Sequence, residues 1–312
     1  MKAVGAKQFG GPQVLEVLEL PVPDVGPGQV RIRVRAAAVN PTDTMLRGGA
    51  AISAWRQKEP PYVPGMDAAG TAERIGEGTQ TDLRVGDRVM AVVVPVGSHG
   101  AYAEQIVVPA DSVARSPANA SDAEVATLPM NGLTARLALD DLRLRPGDTV
   151  AVTGAAGAVG GYVIELAKAD GLRVIADAAP KDEALVRGLG ADVVLPRGED
   201  YPRRVRAEVP GGVDGAVDTA LLERRLLPAV RDGGRIATLR RFEEEGERGV
   251  TFHPVVVSEH AREAGRLETL RRQAEEGLLT LRAAEVLPAG EAAEAHRRLE
   301  AGGVRGRLVL AF

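Results

Sequence analysis

The stretch Val150-Ala-Val-Thr-Gly-Ala-Ala-Gly-Ala-Val-Gly160 restricts the fold of this chain more than any other. A run of small apolar residues meets glycines at 154, 157 and 160. The sequence then continues through Gly161–Ala169 with Val159, Val163, Leu166 and Ala167 on one helical face. A strand that turns on glycine into a helix is the layout of a dinucleotide-binding loop. Gly154 permits the tight turn, Gly157 lets the backbone approach a pyrophosphate, and Gly160 allows close helix–strand packing. The helix N-terminus then offers unpaired N–H groups and a partial positive charge to the phosphates. The binding residues expected here are Gly154, Ala156, Gly157, Ala158, Val159 and Gly160. No Lys-Ser/Thr pair follows the glycines, which excludes a nucleoside-triphosphate P-loop.

The rhythm around the loop supports a parallel sheet. Thr149–Thr153, Arg173–Ala176, Asp192–Leu195, Asp214–Asp218 and Arg235–Leu239 read as short apolar strands separated by helices. Val255–Val257 reads as a final edge strand. Strands apolar on both faces suit a sheet covered by helices, so the region is expected to be a doubly wound α/β domain. Ser121-Asp-Ala-Glu124 is a capping box, expected to open a helical stretch reaching about Leu142. Before Ser116 the pattern differs. Val30, Ile32 and Val34 alternate with Arg31 and Arg33, and Arg88–Val94 and Glu104–Val108 add β-rich runs. Prolines at 21, 23, 27, 41, 60, 61 and 64 favour a barrel-like β domain over long helices. The tail closes on an apolar strand, Leu308–Leu310.

Charge and composition remove several function classes. Lys+Arg total 39 against 43 Asp+Glu, a net charge of −4, which gives no electrostatic reason for nucleic-acid or anionic-membrane binding. There is no cysteine, so disulfides, thiolate zinc sites, iron–sulfur clusters and cysteine nucleophiles are all excluded. No apolar run reaches the roughly 20 residues of a membrane span. Met1–Gly10 lacks the apolar stretch of a secretory signal, so a soluble cytoplasmic protein is expected.

The choice of dinucleotide is open at this level. Asp177 ends the second strand of the α/β region, where an acid would hold a ribose diol and indicate NADH. Lys181 follows closely and could pair with the 2′-phosphate of NADPH, while Asp177 could instead cap the next helix.

Further motifs accompany the glycine loop in order along the chain. They are Ala37-Ala-Val-Asn-Pro-Thr-Asp-Thr-Met-Leu-Arg47, Pro61-Tyr-Val-Pro-Gly-Met-Asp-Ala-Ala-Gly70, Val85-Gly-Asp-Arg-Val89 and Gly100-Ala-Tyr-Ala-Glu104. Leu128-Pro-Met-Asn-Gly-Leu-Thr-Ala135, Leu189-Gly-Ala-Asp192 and Ala295–Val309 follow. Carrying these, the chain resembles the zinc-free medium-chain dehydrogenase/reductases, in their quinone oxidoreductase (zeta-crystallin-like) branch. The resemblance implies a GroES-like catalytic domain from residues 1–120 and 258–312, and a Rossmann domain from 121–257. It implies hydride transfer from NADPH, with NADH the other possibility, to a quinone or an α,β-unsaturated carbonyl. A homodimer is expected from pairing of two Val255–Val257 edge strands. Alternatives are an enoyl reductase acting on an acyl thioester, and a low-turnover NADPH-binding sensor or structural protein.

Zinc-dependent relatives carry Gly-His-Glu where this chain has Gly65-Met-Asp67, and Met66 is no ligand for a hard catalytic zinc. No metal is therefore expected, and catalysis falls to positioning and polarity. Asn40 is the favoured donor to nicotinamide or substrate, the alternative being a turn-forming Asn-Pro. Thr134 matches a position that contacts the nicotinamide in relatives, and Leu239 ends the fifth strand beside it. The family's tyrosine position holds Met45, so no proton donor carries over; Tyr62 is the possible substitute. Asp43 is expected to cap a helix, and His99 to be a surface residue. His253, His260 and His296 are taken as structural.

Overall fold

The structure, a computed structural model, describes residues 1–50, 59–95, 100–242, 244 and 246–312. His99 and the glutamates at 243 and 245 lie outside the described residues, as does most of the loop between 47 and 60. The strands are β1 (Lys2–Ala6), β2 (Leu15–Glu19), β3 (Gln29–Ala38), β4 (Asp67–Ile75), β5 (Arg88–Val92), β6 (Gln105–Pro109), β7 (Val113–Arg115) and β8 (Thr149–Thr153). They continue with β9 (Arg173–Ala178), β10 (Val193–Pro196), β11 (Val213–Asp218), β12 (Val230–Thr238), β13 (Thr251–Pro254), β14 (Ala283–Pro288) and β15 (Arg307–Ala311). The chain divides into two compact units, residues 1–130 with 258–275 and 281–312, and residues 131–257 with 276–280. The division thus follows Met130 rather than the capping box at Ser121, and a short segment of the tail joins the second unit.

In the first unit a sheet runs in the order β14-β15-β3-β4-β5-β7, with β6 also pairing β3, and β1 and β2 form a separate antiparallel pair. The expected alternation holds along β3. Val30, Ile32 and Val34 enter the core, while Arg31 and Arg33 both reach Glu73 on β4. β3 shifts register twice against β4, and such bulges bend a sheet toward a barrel. Asn40, two residues past the end of β3, caps the helix Pro41–Arg47, whose first residue is a proline that needs no N–H partner there.

The second unit is a six-stranded parallel sheet in the order β10-β9-β8-β11-β12-β13. The chain runs outward from β8 to β10, then crosses to β11 on the other side of β8. In such sheets the crevice at the C-terminal ends of the strands, where the order reverses, is where ligands bind.

Three local readings change. The helical stretch after Ser121 is two helices, Asp122–Val125 and Pro129–Leu142. Pro129 disfavours helical backbone at Leu128 but suits the first turn of a new helix. The segment after β11 is a 3₁₀ helix, Glu223–Ala229, because Leu221 and Glu223 take left-handed φ angles of 59° and 55° and Pro228 lies inside it. The edge strand is Thr251–Pro254, not Val255–Val257. Thr238, the last residue of β12, already pairs with Pro254, and Val257 starts a 3₁₀ turn.

Candidate active site

The glycine loop joins β8 to the helix Ala158–Ala169 at the point of strand reversal. Gly154 has φ +64°, and a Cβ there would run into Thr219 Oγ1. A Cβ on Gly160 would meet Gly154 O and lie 2.8 Å from Ala155 Cα, so this glycine is required by helix–strand contact. Gly157 is different. Among the described residues, a Cβ there would meet Gly154 O alone, at 3.0 Å. Gly157 is also the N-cap of the helix and supplies no side chain to its first amides. A helix start whose N-cap residue makes no side-chain bond to it fits a pyrophosphate.

Polar side chains stitch the strand ends around the loop. Thr153 Oγ1 donates to Asp218 Oδ1 (2.7 Å) and accepts from Ala220 N (3.0 Å). Thr219 Oγ1 donates to Thr153 O (2.6 Å), and Asp218 Oδ2 accepts from Glu223 N (2.7 Å). Asp177, buried at the end of β9, accepts from Ala155 N at 3.0 Å. Burial holds its carboxyl above the usual range, opposed by that N–H and by Arg197. Asp177 therefore braces the glycine loop and does not cap the next helix, whose N-cap is Ala179. Lys181 is exposed on the turn that follows. Leu239, half-buried, follows β12, and Thr134 is half-buried on Pro129–Leu142.

The first unit contains a buried polar network centred on Asn40, which is 2% exposed. Asn40 Nδ2 donates to Asp67 Oδ2 (2.7 Å), and Met130 N donates to Asp67 Oδ1 (2.6 Å). Asp43 accepts from Asn40 N (2.8 Å), Gly65 N (3.0 Å) and Tyr102 Oη (3.3 Å). His296, fully buried, has Nε2 3.1 Å from Tyr102 Oη and Nδ1 3.2 Å from Arg47 Nη1. A guanidinium can only donate, so Nδ1 accepts and Nε2 carries the proton of a neutral ring. The donors then run in one direction, from Arg47 to His296 to Tyr102 to Asp43. Burial, and next the Arg47 charge, push His296 down to about 3, which keeps the ring neutral. Desolvation raises Asp43 to about 6 and Asp67 to about 7, against an ordinary value of 3.8.

Tyr62 packs rather than projects. It is 9% exposed and stacks on Phe9 with ring centroids 4.6 Å apart. Of the sequence-derived catalytic residues, Asn40 and Tyr62 lie in the first unit and Thr134 in the second. Sequence reasoning missed the Thr153–Asp218–Thr219 stitching and the Asp67, Tyr102 and Arg47 parts of the buried network. Only Asp67 gave a signal, through its place beside Met66.

Two sequence families match the chain. One described as "Alcohol dehydrogenase GroES-like domain" covers residues 26–118, and one described as "Zinc-binding dehydrogenase" covers 189–310. A 2-haloacrylate reductase from a Burkholderia species is 30% identical over 96% of this chain and 96% of its own length. The chloroplastic quinone-oxidoreductase QR1 of Triphysaria versicolor is 34% identical over 68% of this chain, which spans 65% of that protein. The structure of mycobacterial Rv1454c complexed with NADPH superimposes with a TM-score of 0.88 at 28% identity, covering all of both chains.

Proposed function

Because this chain belongs to the medium-chain dehydrogenase/reductases, in their quinone oxidoreductase branch, we propose that it reduces quinones or α,β-unsaturated carbonyls with NADPH and without a metal. The observation that carries this reading is the glycine loop at the strand reversal, where a Cβ on Gly157, beside a helix N-terminus, would meet Gly154 O alone among the described residues. When bound, the reduced nicotinamide supplies a hydride to the electron-poor carbon of the acceptor.

The residues of this chain provide the rest. The amides that follow Gly157 hold the pyrophosphate, and the Thr153–Asp218–Thr219 bonds keep the loop in shape before ligand arrives. Thr134 and Leu239 are proposed to position the nicotinamide half. Asn40 is proposed to polarise the acceptor oxygen, its orientation set by Asp67 and Asp43. The proton that completes reduction comes from solvent, since Met45 cannot donate and the Tyr62 ring is stacked on Phe9. Lys181 lends positive charge to the adenosine end. The metal-free reading rests on donor chemistry. Met66 offers a soft neutral thioether, and both Asp67 oxygens already accept hydrogen bonds. The free edge of β13 is the proposed contact for a second copy, which would join two six-stranded sheets into one.

The test is oxidation of NADPH and NADH in parallel with a benzoquinone, a phenanthrenequinone, an alkenal and a crotonyl thioester. NADPH-selective turnover with the quinones or the alkenal is expected. Turnover with the thioester alone would make the protein an enoyl reductase, and cofactor binding without turnover on any acceptor would make it a sensor.

A further inference from the structure

Three buried ionisable side chains, Arg47, His296 and Tyr102, have no part in the reaction proposed above, yet they point one after another toward its polarising residue. At the outer end Arg47 is held on three sides. Its Nε donates to Gly10 O (3.0 Å), Nη2 to Glu300 Oε1 (2.6 Å) and Nη1 to His296 Nδ1 (3.2 Å). His296 and Glu300 both stand on the helix Ala292–Ala301, so the tail of the chain is latched to the helix Pro41–Arg47. Because a guanidinium always donates, the ring proton of His296 is on Nε2, which lies 3.1 Å from Tyr102 Oη. A phenol has one proton. With its His296 side met by a donor, that proton goes to Asp43 Oδ2, 3.3 Å away. Were Nε2 bare, the phenol would donate to the ring instead, and Asp43 would lose a partner.

Asp43 passes the constraint to both ends of Asn40. Its Oδ2 accepts from Asn40 N, which fixes the backbone from which the amide projects. Its Oδ1 accepts from Gly65 N, two residues before Asp67, and Asp67 Oδ2 accepts from Asn40 Nδ2. Gly65 has φ +107°, and a Cβ there would lie 2.7 Å from Ala101 N and from Tyr102 Cδ1. Tyr102 therefore packs directly on the turn that Asp43 holds. Burial favours a protonated Asp43, and its three hydrogen bonds and the Arg307 charge oppose this. The oriented phenol proton thus helps to keep Asp43 an acceptor for both backbones.

Resting on Asn40 as the group that polarises the acceptor oxygen, we propose that Tyr102 and His296 are positioning residues for this reaction, holding the Asn40 amide in place through Asp43. Both are fully buried and act only through that carboxylate. Their contribution is to remove alternative orientations of Asn40 before the acceptor arrives, which lowers the barrier and leaves cofactor binding unchanged.

A double-mutant cycle between Tyr102→Phe and Asn40→Ala tests the assignment, read as kcat and as the KM for NADPH with the best acceptor of the four above. Tyr102→Phe removes one oxygen and keeps the packed ring, and melting temperatures check that each variant folds. Asn40→Ala should lower kcat about 100-fold. Tyr102→Phe should lower kcat about 5- to 50-fold, with the KM for NADPH changed by less than about twofold. In the Asn40→Ala background the same substitution should change kcat by less than about twofold, since the group it orients is gone. His296→Leu should reproduce the Tyr102→Phe loss. His296→Gln, which can still accept from Arg47 and donate to Tyr102, should restore kcat to within about threefold of native. Should His296→Leu fail to fold, the Tyr102→Phe cycle decides. An unchanged kcat in Tyr102→Phe, losses that multiply in the double variant, or a His296→Gln no better than His296→Leu overturns the positioning role and leaves Asn40 in place. An unchanged kcat in Asn40→Ala removes the reading of Asn40 itself.

Discussion

Gly157 and Gly160 stand three residues apart in one loop, yet they answer to different constraints. Gly160 faces its own protein, so an added methyl must push Gly154 O and Ala155 apart. Among the described residues, a methyl on Gly157 meets Gly154 O alone, so it obstructs a ligand instead. Gly160→Ala should therefore cost about 1–3 kcal/mol of stability in urea unfolding. Gly157→Ala should stay within about 1 kcal/mol of native and weaken dinucleotide binding about tenfold or more. Equal stability losses in the two variants would show that Gly157 serves packing. Asp67 poses a second question at this scale, one of pH. Asp43 and Asp67 hold their protons more tightly folded than unfolded, because burial disfavours their charged forms. Their protonation thus favours the fold below about pH 4, and that contribution is lost as pH rises through about 6 for Asp43 and about 7 for Asp67. Asp67→Asn removes one titration and one of two buried acceptor oxygens. The variant should melt below native protein at pH 5, and the gap should close toward pH 8 by up to about 3 kcal/mol. Parallel melting curves across that range would mean that Asp67 does not titrate.

At the scale of elements, the loop after β11 is tied to the end of β8 by side chains rather than by sheet hydrogen bonds. Asp218, buried and accepting from both Thr153 Oγ1 and Glu223 N, is the common anchor. Asp218→Asn substitutes donors for one acceptor, so one buried hydrogen bond is lost, at about 1–3 kcal/mol. Because the same anchor holds the left-handed turn at Leu221 and Glu223, cofactor affinity should fall as well. An unchanged denaturation midpoint together with unchanged cofactor affinity would remove Asp218 from this role. The elements also show how far local pattern reaches. β8 ends where the apolar run ends, and the capping box at Ser121 forms as its sequence requires, with Glu124 N donating to Ser121 Oγ. The helix it opens stops early because a proline four positions after Val125 starts another. The helix expected after β11 is absent because left-handed residues and Pro228 interrupt it.

For the molecule as a whole, the absence of cysteine and the bonds at Asp67 bear on metal dependence together. Met66 offers a soft, neutral thioether rather than an imidazole. The adjacent carboxylate is consumed by Asn40 and Met130, and among the described residues no group of three His, Asp or Glu side chains could hold a metal ion. Dialysis against a strong chelator should leave turnover unchanged, and elemental analysis should find well under one zinc per chain. A stoichiometric zinc whose removal abolishes turnover would overturn the metal-free chemistry.

What the sequence determined by itself is the part that depends on neighbours along the chain. Glycine freedom at 154, helix–strand closeness at 160, the period of the strands and the capping box are local, and they sufficed for the mixed α/β fold with its glycine turn between strand and helix. Only the tertiary structure decided which charges meet. Tyr102 and His296 are 194 positions apart, Asn40 and Asp67 are 27 apart, and Asp177 reaches Ala155 across 22. No periodicity encodes those pairs, since they form when sheets bring strand ends together. Burial then fixes their protonation by removing the water that would solvate the charged forms.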